Sequence, residues 1–577
     1  MTTRNYPVII VFGFFALSLV LILLLRSSTI SLASIKIPEQ DYFVVRVYYK
    51  NQEILNQIAT QIEPWQVDKN QGYLIIGVDK TNYEWLEQMG LTIEIEQQLT
   101  DKVNSLSAIS LDQISSIPGF ACYKTVEETY AYAQTLANTY PELAEWIDIG
   151  DSWVKTQYGN LGYDLYILRI TNKNVDLPKP KLFIMSGLHA REFAPIEINT
   201  YFANYLLENY GKIADITWLL DYHEIHLLLQ ANPDGRKQVE PNPNIMWRKN
   251  TNENYCSSTS TNRGADLNRN FNFKWHYCFN DNCSSSNQCN ETYRGPSAAS
   301  EPETQAIQNY LRSQFPDQRG PLDTDAAPIT ATGVFIDLHS YGNLVLWPWG
   351  FTNLPTPNSS ALQTLGRKFS FFNQYEPGQA GDLLYLTDGD SDGFAYGDLG
   401  LAGYTFEIGT NNDWFFAPCS SFINNFIPDN IPALLYAAKV ARFPYQLPSG
   451  PDTVTISISP SFYKKGEAIT VLANINDKRY YGNQEPKQNI AAAELYIDTP
   501  PWITTTIPIS YTMNAEDGSF DEYIETATVS LETDTLSQGR HMIYIRGKDA
   551  NGNWGPVTAL FLYLYNHQRY FPLIISQ

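Results

Sequence analysis

Strand-like and helical patterns of apolar residues alternate through the middle of the chain. Apolar runs of strand length occupy residues 163–170, 181–186, 224–230 and 333–338. Segments whose apolar residues recur at helical spacing occupy residues 125–140, 196–208, 301–315 and 431–441. Such alternation is typical of strands and helices that share one buried sheet, so residues 118–445 are predicted to form an α/β domain with a mixed central sheet.

The two ends of the chain have different patterns. Residues 35–100 mix strand-like and helical runs, which predicts a small α+β domain. The polar residues 97–116 lack periodicity, so a linker is predicted at 101–117. Beyond Pro448-Ser-Gly-Pro451 only short strand-like runs occur, separated by turn signals, which predicts a β-sandwich at 452–565 and a tail at 566–577.

Composition agrees with several folded domains. A chain of 577 residues is too long for one hydrophobic core. Its hydrophobic content of 44% and charged content of 17% are typical of folded proteins. The formal net charge of -22 disfavours nucleic acid and anionic membranes as partners, because both would repel the protein.

The N-terminus predicts export. Residues 7–25 carry no charge, Arg26 follows them, and Ser31-Leu-Ala-Ser34 offers small residues for cleavage. A run of this length fits either a signal peptide or a membrane anchor. Residues 1–34 are therefore predicted to place the rest of the chain outside the cytoplasm, with membrane contact only through this segment.

Six cysteines fit an oxidising compartment. No Cys-x-x-Cys pair occurs in the sequence, so a thiolate zinc site is not expected. Several connectivities are open to six cysteines. Our hypothesis is that they pair as Cys278–Cys283, Cys256–Cys289 and Cys122–Cys419.

Four residues near the ends of predicted strands form the candidate site. His189 and Glu192 follow the run at 181–186, His339 ends a second run, and Glu407 closes a third at 404–407. Open α/β sheets gather their chemistry at strand ends. Two imidazoles and one carboxylate match a zinc ligand set that leaves a position for water, and another carboxylate serves as the base. One zinc ion per chain is predicted, although a bare His-x-x-Glu spacing also fits ordinary loop residues.

Other constellations are weaker. His223 and His226 lie three apart in a strand-like run, which points their side chains to opposite faces and favours structural roles. Gly389-Asp-Ser-Asp-Gly393 matches the serine nucleophile elbow, but the histidines after it lie only in or beyond the predicted β-sandwich. The same region begins like a calcium loop, but has Leu399 where a bidentate Glu is required.

A series of motifs resembles the zinc carboxypeptidases of the carboxypeptidase A/B type, in the same order along the chain. The motifs are Gly187-Leu-His-Ala-Arg-Glu192, Asn232-Pro-Asp-Gly235, Met246-Trp-Arg-Lys249, Asp266-Leu-Asn-Arg-Asn270, Glu291-Thr-Tyr-Arg-Gly295, His339-Ser-Tyr341 and Thr405-Phe-Glu407. The resemblance implies a carboxypeptidase-type α/β/α fold. It also implies that His189, Glu192 and His339 are the zinc ligands and that Glu407 is the general base.

Roles in substrate binding follow from the same resemblance. Asn268 and Arg269 match the pair that binds the C-terminal carboxylate of a substrate, for which a guanidinium fork is well suited. Tyr385 matches the mobile tyrosine that caps the substrate. The resemblance also implies substrate contacts for Ser340 and Tyr341.

Further positions match an auxiliary arginine, a supporting carboxylate and a specificity position. Arg191 matches the auxiliary substrate-binding arginine, and Asp266 matches the carboxylate that orients the first zinc histidine. Asp392 aligns with the position that is acidic in enzymes preferring C-terminal Lys or Arg, and Asp390 adds charge nearby. A solvated acidic turn explains both aspartates equally well.

One position departs from the family pattern. The family places an oxyanion-stabilising arginine where this chain has Thr251. Such a donor is worth about 10²–10³ in rate. Arg263 is the first candidate to replace it, and Arg248 is the second.

The sequence as a whole predicts an exported zinc metallocarboxypeptidase that acts on peptide or protein C-termini. Residues 35–100 resemble the activation segment of these enzymes, and the C-terminal region resembles accessory domains that contact a surface or polymer. Two alternatives remain open. One is a cell-wall peptide amidase or endopeptidase on the same scaffold, and the other is a catalytically weakened surface-binding protein.

Overall fold

The computed structural model describes residues 42–105, 116–278, 281–410, 412–459, 463–482, 485–503 and 508–565. These residues form three sheets that follow one another along the chain. The predicted export segment and the C-terminal tail lie outside the described residues. Within the described ranges, the helices are all too short or too polar to cross a membrane.

The middle of the chain forms a mixed sheet, as the alternating pattern predicts. In spatial order its described strands are Glu376–Gln379, Leu344–Trp347, Ala402–Glu407, Val334–His339, Lys181–Ser186, Glu224–Leu228, Asp164–Ile170 and Ala144–Asp151. The four strands from Ala402–Glu407 to Glu224–Leu228 are parallel. Antiparallel pairs on both sides of these four strands make the sheet mixed.

Helices separate these strands along the chain. They are Val126–Thr139, Trp153–Tyr158, Ala194–Asn209, Ala214–Tyr222, Pro233–Val239, Pro302–Gln314, Ser359–Asn373, Ala380–Leu383, Ser391–Leu399, Cys419–Ser421 and Ile427–Val440. Short 3-10 turns lie at Gly159–Leu161, Pro243–Ile245, Leu267–Arg269 and Leu447–Ser449, and a π-helical turn at Phe422–Phe426. The first helix begins at a capping box, in which Thr125 and Glu128 satisfy each other's backbone N–H groups.

Both faces of the central sheet are buried. Every residue of Val334–His339 is buried, which explains its continuous apolar run. Alternate residues enter two different cores: Leu182 and Ile184 face one, while Phe183 and Phe335 stack in the other with ring centroids 5.6 Å apart. The sheet is therefore covered on two sides, as in an α/β fold of parallel character.

The N-terminal residues form a smaller antiparallel sheet with helices. Its strands, in spatial order, are Gln66–Asp68, Tyr73–Asp79, Tyr42–Tyr48 and Thr92–Ile95, and its helices are Gln52–Gln61, Lys80–Gln88 and Gln97–Ser105. The linker prediction is wrong for residues 101–105, which belong to the helix Gln97–Ser105. Tertiary contacts hold this helix, because Val103 is buried and Lys102 Nζ lies 5.1 Å from the centre of the Trp414 ring.

The N-terminal sheet docks on the central domain through an aromatic contact. The Trp65 ring lies 5.4 Å from that of Phe415 and 6.5 Å from that of Trp414. Gly77 makes room for this tryptophan, because a Cβ there would lie 2.3 Å from Trp65 Cζ2. A larger residue at position 77 would displace the docking side chain.

The C-terminal region is an antiparallel β-rich domain. Its described strands, in spatial order, are Asp452–Ser459, Ala468–Asn476, Ile524–Glu532, Ile509–Ala515, Ile490–Ile497, Gly539–Asp549, Thr558–Tyr565 and Tyr463–Lys464. Only the last neighbouring pair among these is parallel. Ile509–Ala515 pairs with a strand on each side, and apolar residues from both halves share one core, including Val471, Leu495 and Ile543.

The disulfide hypothesis is confirmed. The bonds are Cys122–Cys419, Cys256–Cys289 and Cys278–Cys283. The first joins positions 297 residues apart, and the other two lie in the segment between the helices Pro233–Val239 and Pro302–Gln314. Three disulfides fit an extracellular protein.

A buried ion pair joins the central domain to the β-rich domain. Lys368 Nζ lies 3.1 Å from Asp452 Oδ1, and neither side chain is more than 4% exposed. The same ammonium lies 4.1 Å from the centre of the Tyr480 ring. Nearby, Arg367 and Glu485 form a second ion pair across the joint.

Lys368→Met is expected to destabilise the joint. The substitution removes one partner of a buried pair and leaves the Asp452 carboxylate undercompensated, which costs about 3–5 kcal/mol. Urea unfolding of the full chain should detect the loss. Lys212→Met, at an exposed lysine, is the matched control and should shift stability by less than about 0.5 kcal/mol. Equal stability of the two variants would contradict the expectation.

Candidate metal centre and active site

The candidate site lies at one edge of the central sheet. His339 ends its strand, and Glu407 ends the neighbouring strand and pairs with His339 in parallel register. His189 and Glu192 lie in the turn between the strand Lys181–Ser186 and the helix Ala194–Asn209. Parallel strands that end together bring these four residues to the same place.

The three predicted metal ligands converge. His189 Nδ1 lies 2.7 Å from Glu192 Oε1 and 3.0 Å from His339 Nδ1. His339 Nδ1 also lies 3.2 Å from Glu192 Oε2. All three side chains are buried, and their donor atoms could hold a metal ion. This donor set suits zinc, because two neutral imidazoles and a carboxylate leave one tetrahedral position for water.

Both histidines are oriented by carboxylates on their outer nitrogens. His189 Nε2 lies 3.2 Å from Asp266 Oδ1, and His339 Nε2 lies 2.8 Å from Asp337 Oδ2. Such partners fix the ring so that Nδ1 faces the metal. Asp337 was not among the predicted site residues. Its position two residues before His339 in a strand, on the same face, is the signal that identifies it.

Arg248 completes the support of His189. Its Nη2 lies 2.9 Å from Asp266 Oδ2, and its Nη1 lies 3.3 Å from His189 Nδ1. Burial opposes ionisation of Asp266, but Arg248 and His189 outweigh it and hold the pKa of that carboxyl well below its usual range. Arg248 therefore lies beside the metal ligands with a second guanidinium nitrogen facing the cleft.

A cavity of about 560 Å³ extends from the metal site. His189, Glu192, Arg248, Glu407 and Tyr341 line it, together with residues 63–70 of the N-terminal domain. Burial raises the pKa of Glu407 to about 8, while the positive charge of Arg248 opposes that rise. A cation among the adjacent ligands would oppose it further.

One carboxylate from the N-terminal domain occupies the centre of this cleft. Glu63 Oε2 lies 3.3 Å from Arg248 Nη2 and 3.3 Å from Arg269 Nη2. The Tyr385 hydroxyl donates a hydrogen bond to Glu63 Oε1. A single carboxylate therefore contacts Arg269 and Tyr385, both predicted to bind substrate, and Arg248, the second oxyanion candidate.

The remaining predicted substrate residues lie around this point. Asn268 follows Asp266, and its Oδ1 accepts a hydrogen bond from Ser391 N at 2.9 Å. Ser340 N donates to Glu192 Oε2 at 3.1 Å, and the Tyr341 ring packs on Phe415. Arg191 is fully buried, pairs with Glu291 at 3.0 Å and stacks on Phe415.

Asp392 and Asp390 have different surroundings. Asp390 caps the helix Ser391–Leu399 and accepts from Thr387 Oγ1 at 2.7 Å. Asp392 is buried, and its Oδ2 has no hydrogen-bond partner among the described residues. Burial and the charge of Asp390 raise the pKa of Asp392 well above its usual range. The solvated acidic turn considered for this pair is wrong for Asp392, because its carboxyl is shielded from water.

Arg263 lies outside the cavity lining, contrary to its ranking as the first oxyanion candidate. Its guanidinium donates to the carbonyls of Thr251 and Ser260 and stacks 4.7 Å above Trp247. Arg248, the second candidate, takes the position in the cleft.

The histidines outside the site have structural surroundings. His226 Nδ1 lies 2.7 Å from the Tyr310 hydroxyl. His223 follows the helix Ala214–Tyr222 and is 1% exposed. The Ser391 hydroxyl donates to Asp337 at 2.6 Å, so it supports the metal site and has no histidine base.

Comparison with known proteins agrees with this geometry. The sequence profile described as "Zinc carboxypeptidase" matches residues 129–433, which is more than half of the chain. The chain belongs to the zinc carboxypeptidase family. Members of this family are zinc metallocarboxypeptidases, which are hydrolases, and the family implies zinc as the metal.

Individual relatives are carboxypeptidases of both the A and B types. Carboxypeptidase B2 of Bos taurus is 29% identical over 330 residues, covering 55% of this chain and 70% of the relative. Carboxypeptidase A1 of Rattus norvegicus is 28% identical over 358 residues, covering 59% and 76%. These similarities span most of each relative's length.

Solved structures show the same fold. Carboxypeptidase A from Helicoverpa armigera has a TM-score of 0.55 at 24% identity, covering 69% of this chain and 97% of that chain. Thrombin activatable fibrinolysis inhibitor has a TM-score of 0.53 at 23% identity, covering 70% and 99%. The predicted carboxypeptidase-type α/β fold with a mixed central sheet is confirmed, as is an antiparallel β-rich domain after it.

Asp337→Asn is expected to weaken zinc binding. The amide cannot accept the His339 proton as a carboxylate does, so the ring loses its fixed orientation and affinity falls about 10–100-fold. Competition against a chromogenic chelator measures this directly. Asp176→Asn, at an exposed aspartate without side-chain partners in the described structure, is the control and should bind zinc as the unmodified protein does.

Proposed function

We propose that this protein is an exported zinc carboxypeptidase that removes single residues from the C-termini of peptides and proteins. One observation carries the proposal. Arg248, Arg269 and Tyr385 surround a single carboxylate position beside the metal ligands. A free α-carboxylate of a substrate fits beside Arg269 and Tyr385, whose donors would bind and orient it, while Arg248 reaches both that position and the metal ligand His189.

The roles of the residues follow from their positions. Zinc, held by His189, Glu192 and His339, supplies an acidified water as nucleophile when bound. Glu407 accepts the proton of that water and returns it to the departing amine. Arg248 donates to the oxyanion that develops on the scissile carbonyl, in place of the arginine absent at Thr251. Asn268, Arg269 and Tyr385 hold the terminal carboxylate, while Arg191, Ser340 and Tyr341 contact residues further along the peptide.

The preferred C-terminal residue is proposed to be Lys or Arg. Asp392 carries a buried carboxyl oxygen without a described partner, which is costly unless a ligand satisfies it. A cationic side chain would supply both the hydrogen bonds and the charge. An apolar side chain would leave the carboxyl unpaired.

The alternatives have less support. A cell-wall amidase or endopeptidase does not need a site for a free terminal carboxylate. Here Arg248 and Arg269 both face a carboxylate, that of Glu63. A surface-binding protein without activity does not need a carboxylate behind each metal histidine, as Asp266 lies behind His189 and Asp337 behind His339. Contact with a surface or polymer remains a proposal for the C-terminal domain alone.

A peptide panel tests the main proposal. Peptides that differ only in a C-terminal Lys, Arg, Phe or Leu should each lose one residue, with Lys and Arg released fastest, and a chelator should stop the reaction. Glu407→Gln should lower turnover by about 10²–10⁴ with zinc content unchanged. Internal cleavage, or equal release from amidated peptides, would instead favour an endopeptidase.

Replacing each candidate arginine in turn separates the role of Arg248 from that of Arg263. Arg248→Gln should lower turnover by about 10²–10³ at matched zinc loading, because a donor to the oxyanion is lost. Arg263→Gln should remain near normal, because its guanidinium binds only backbone carbonyls of its own loop. The reverse order would return the oxyanion role to Arg263.

We further propose that residues 35–100 act as a propeptide-like inhibitor of the same site. Glu63 occupies the position proposed for the substrate carboxylate, and its backbone N–H donates to Glu291 at 3.1 Å. Glu291 in turn pairs with Arg191. Arginines proposed to bind substrate are therefore held by Glu63 or by its partner Glu291. The contact between Trp65 and Phe415 covers the cleft beside them.

Removing the charge of Glu63 should raise the activity of the intact chain. Glu63→Gln keeps the shape of the side chain but weakens its two ion pairs, so we expect at least about a tenfold gain in kcat/KM. Glu53→Gln, at an exposed position of the same domain, is the control and should change little. Unchanged activity in both variants would show that Glu63 does not block the site.

Export is proposed on two grounds. Disulfides form and persist outside the cytoplasm. The uncharged run at residues 7–25 is of the kind that directs or anchors exported proteins. The proposed organisation is therefore an export segment at 1–34, the inhibitory domain, a linker limited to the region after residue 105, the catalytic domain at 118–445 and the β-rich domain at 452–565.

A further inference from the structure

A second cavity lies at the joint between the central domain and the β-rich domain. Its volume is about 150 Å³, and it shares no lining residue with the active-site cleft. One wall is formed by His223 and by residues 439–447, at and beyond the end of the helix Ile427–Val440. The opposite wall is formed by residues of the β-rich domain, including Trp502, Arg546 and Trp554.

The lining of this cavity is positively charged, and none of its described residues is acidic. Two of the cations already have partners: Lys439 pairs with Asp215 at 2.6 Å, and Arg546 pairs with Glu494 at 2.8 Å. Arg442 differs, because its described hydrogen bond goes to the carbonyl of Tyr222, at 3.2 Å, and it forms no described ion pair. Burial alone lowers the pKa of Arg442 to about 10.

Unpaired nitrogen atoms gather around Arg442. Its Nε, the Nε1 of Trp502 and both ring nitrogens of His223 are buried and lack hydrogen-bond partners in the described structure. The three side chains are neighbours. Arg442 Cζ lies 5.0 Å from the centre of the Trp502 ring, and the centroids of the Trp502 and His223 rings are 6.4 Å apart. Burial and the charge of Arg442 lower the pKa of His223 well below its usual range, so this ring is neutral, with one donor and one acceptor.

We propose that this cavity binds a small oxoanion, such as inorganic phosphate or sulfate, between the two domains. A buried donor left unsatisfied is costly, and so is a partly buried guanidinium such as that of Arg442 when it has no counter-charge. An oxoanion beside Arg442 supplies the missing negative charge, and a shift of the Arg442 and Trp502 side chains would present their unpaired N–H groups to it. Neutral His223 donates from one nitrogen and can accept from a protonated oxygen, which favours monohydrogen phosphate over sulfate.

The volume agrees with an ion of several atoms. A water molecule occupies about 30 Å³ of liquid, so the cavity is several times larger than one water. A bound anion would contact residues of both domains and thus reinforce the joint that Lys368 and Asp452 also hold. This role does not depend on peptidase activity.

Calorimetric titration of the full chain with inorganic phosphate, at constant ionic strength, tests the proposal. Because the arginines of the active site also attract anions, variants must separate the two sites. Arg442→Gln should bind phosphate at the joint at least tenfold more weakly, and Trp502→Phe should weaken binding through loss of one donor. Arg540→Gln is the matched control, since Arg540 bonds the Gly211 carbonyl at the same joint outside the cavity and should leave binding unchanged.

Thermal unfolding provides an independent readout. The midpoint of the unmodified protein and of Arg540→Gln should rise saturably with phosphate relative to chloride, whereas that of Arg442→Gln should not. Parallel titrations with sulfate and acetate distinguish phosphate from a generic oxoanion. Circular dichroism in chloride establishes that each variant is folded. Equal phosphate binding by Arg442→Gln and the unmodified protein, or no saturable binding, would overturn the proposal and leave water as the occupant.

Discussion

Parallel pairing of three central strands determines where the candidate catalytic residues lie. The strand ending at His339 pairs on one side with Lys181–Ser186 and on the other with Ala402–Glu407. All three are buried, so their backbone groups must be satisfied by one another in a single register. A slip by one residue would turn the side chains of the slipped strand to the opposite face and separate His339 from Glu192 and Glu407. The metal site therefore depends on the sheet more than on its own loops.

Charge compensation is the second constraint at this edge. Arg248 and Arg269 are buried cations close to the metal ligands, and uncompensated buried charge is costly. Asp266 balances part of it, and Glu63 from the N-terminal domain balances the rest. The same need for an anion that would draw a substrate carboxylate also draws the N-terminal domain into place. The proposed inhibition and the proposed substrate binding would thus meet the same electrostatic requirement.

The elements predicted from pattern are mostly present, and the failures have physical causes. Long periodic segments such as Val126–Thr139 were found with small errors at their ends, because the capping residues are local. The helix Gln97–Ser105 was missed, because it is held by contacts with Trp414 rather than by its own periodicity. Arg263 was ranked above Arg248 because it lies close to the Asp266-Leu-Asn-Arg269 motif, but nearness in sequence carries no information about where a loop directs its side chains. Asp337 was overlooked although its spacing from His339 was informative.

The sequence by itself determined the class of fold and the residue types of a zinc site, because these depend on local periodicity and on donor chemistry. Motif order added the family. Only the tertiary structure decided among the disulfide connectivities, which arginine faces the cleft, that Asp337 lies against His339, and that Glu63 lies between Arg248 and Arg269. Those facts involve residues far apart in the chain, and their positions follow from packing and from the compensation of buried charge, neither of which a linear pattern records.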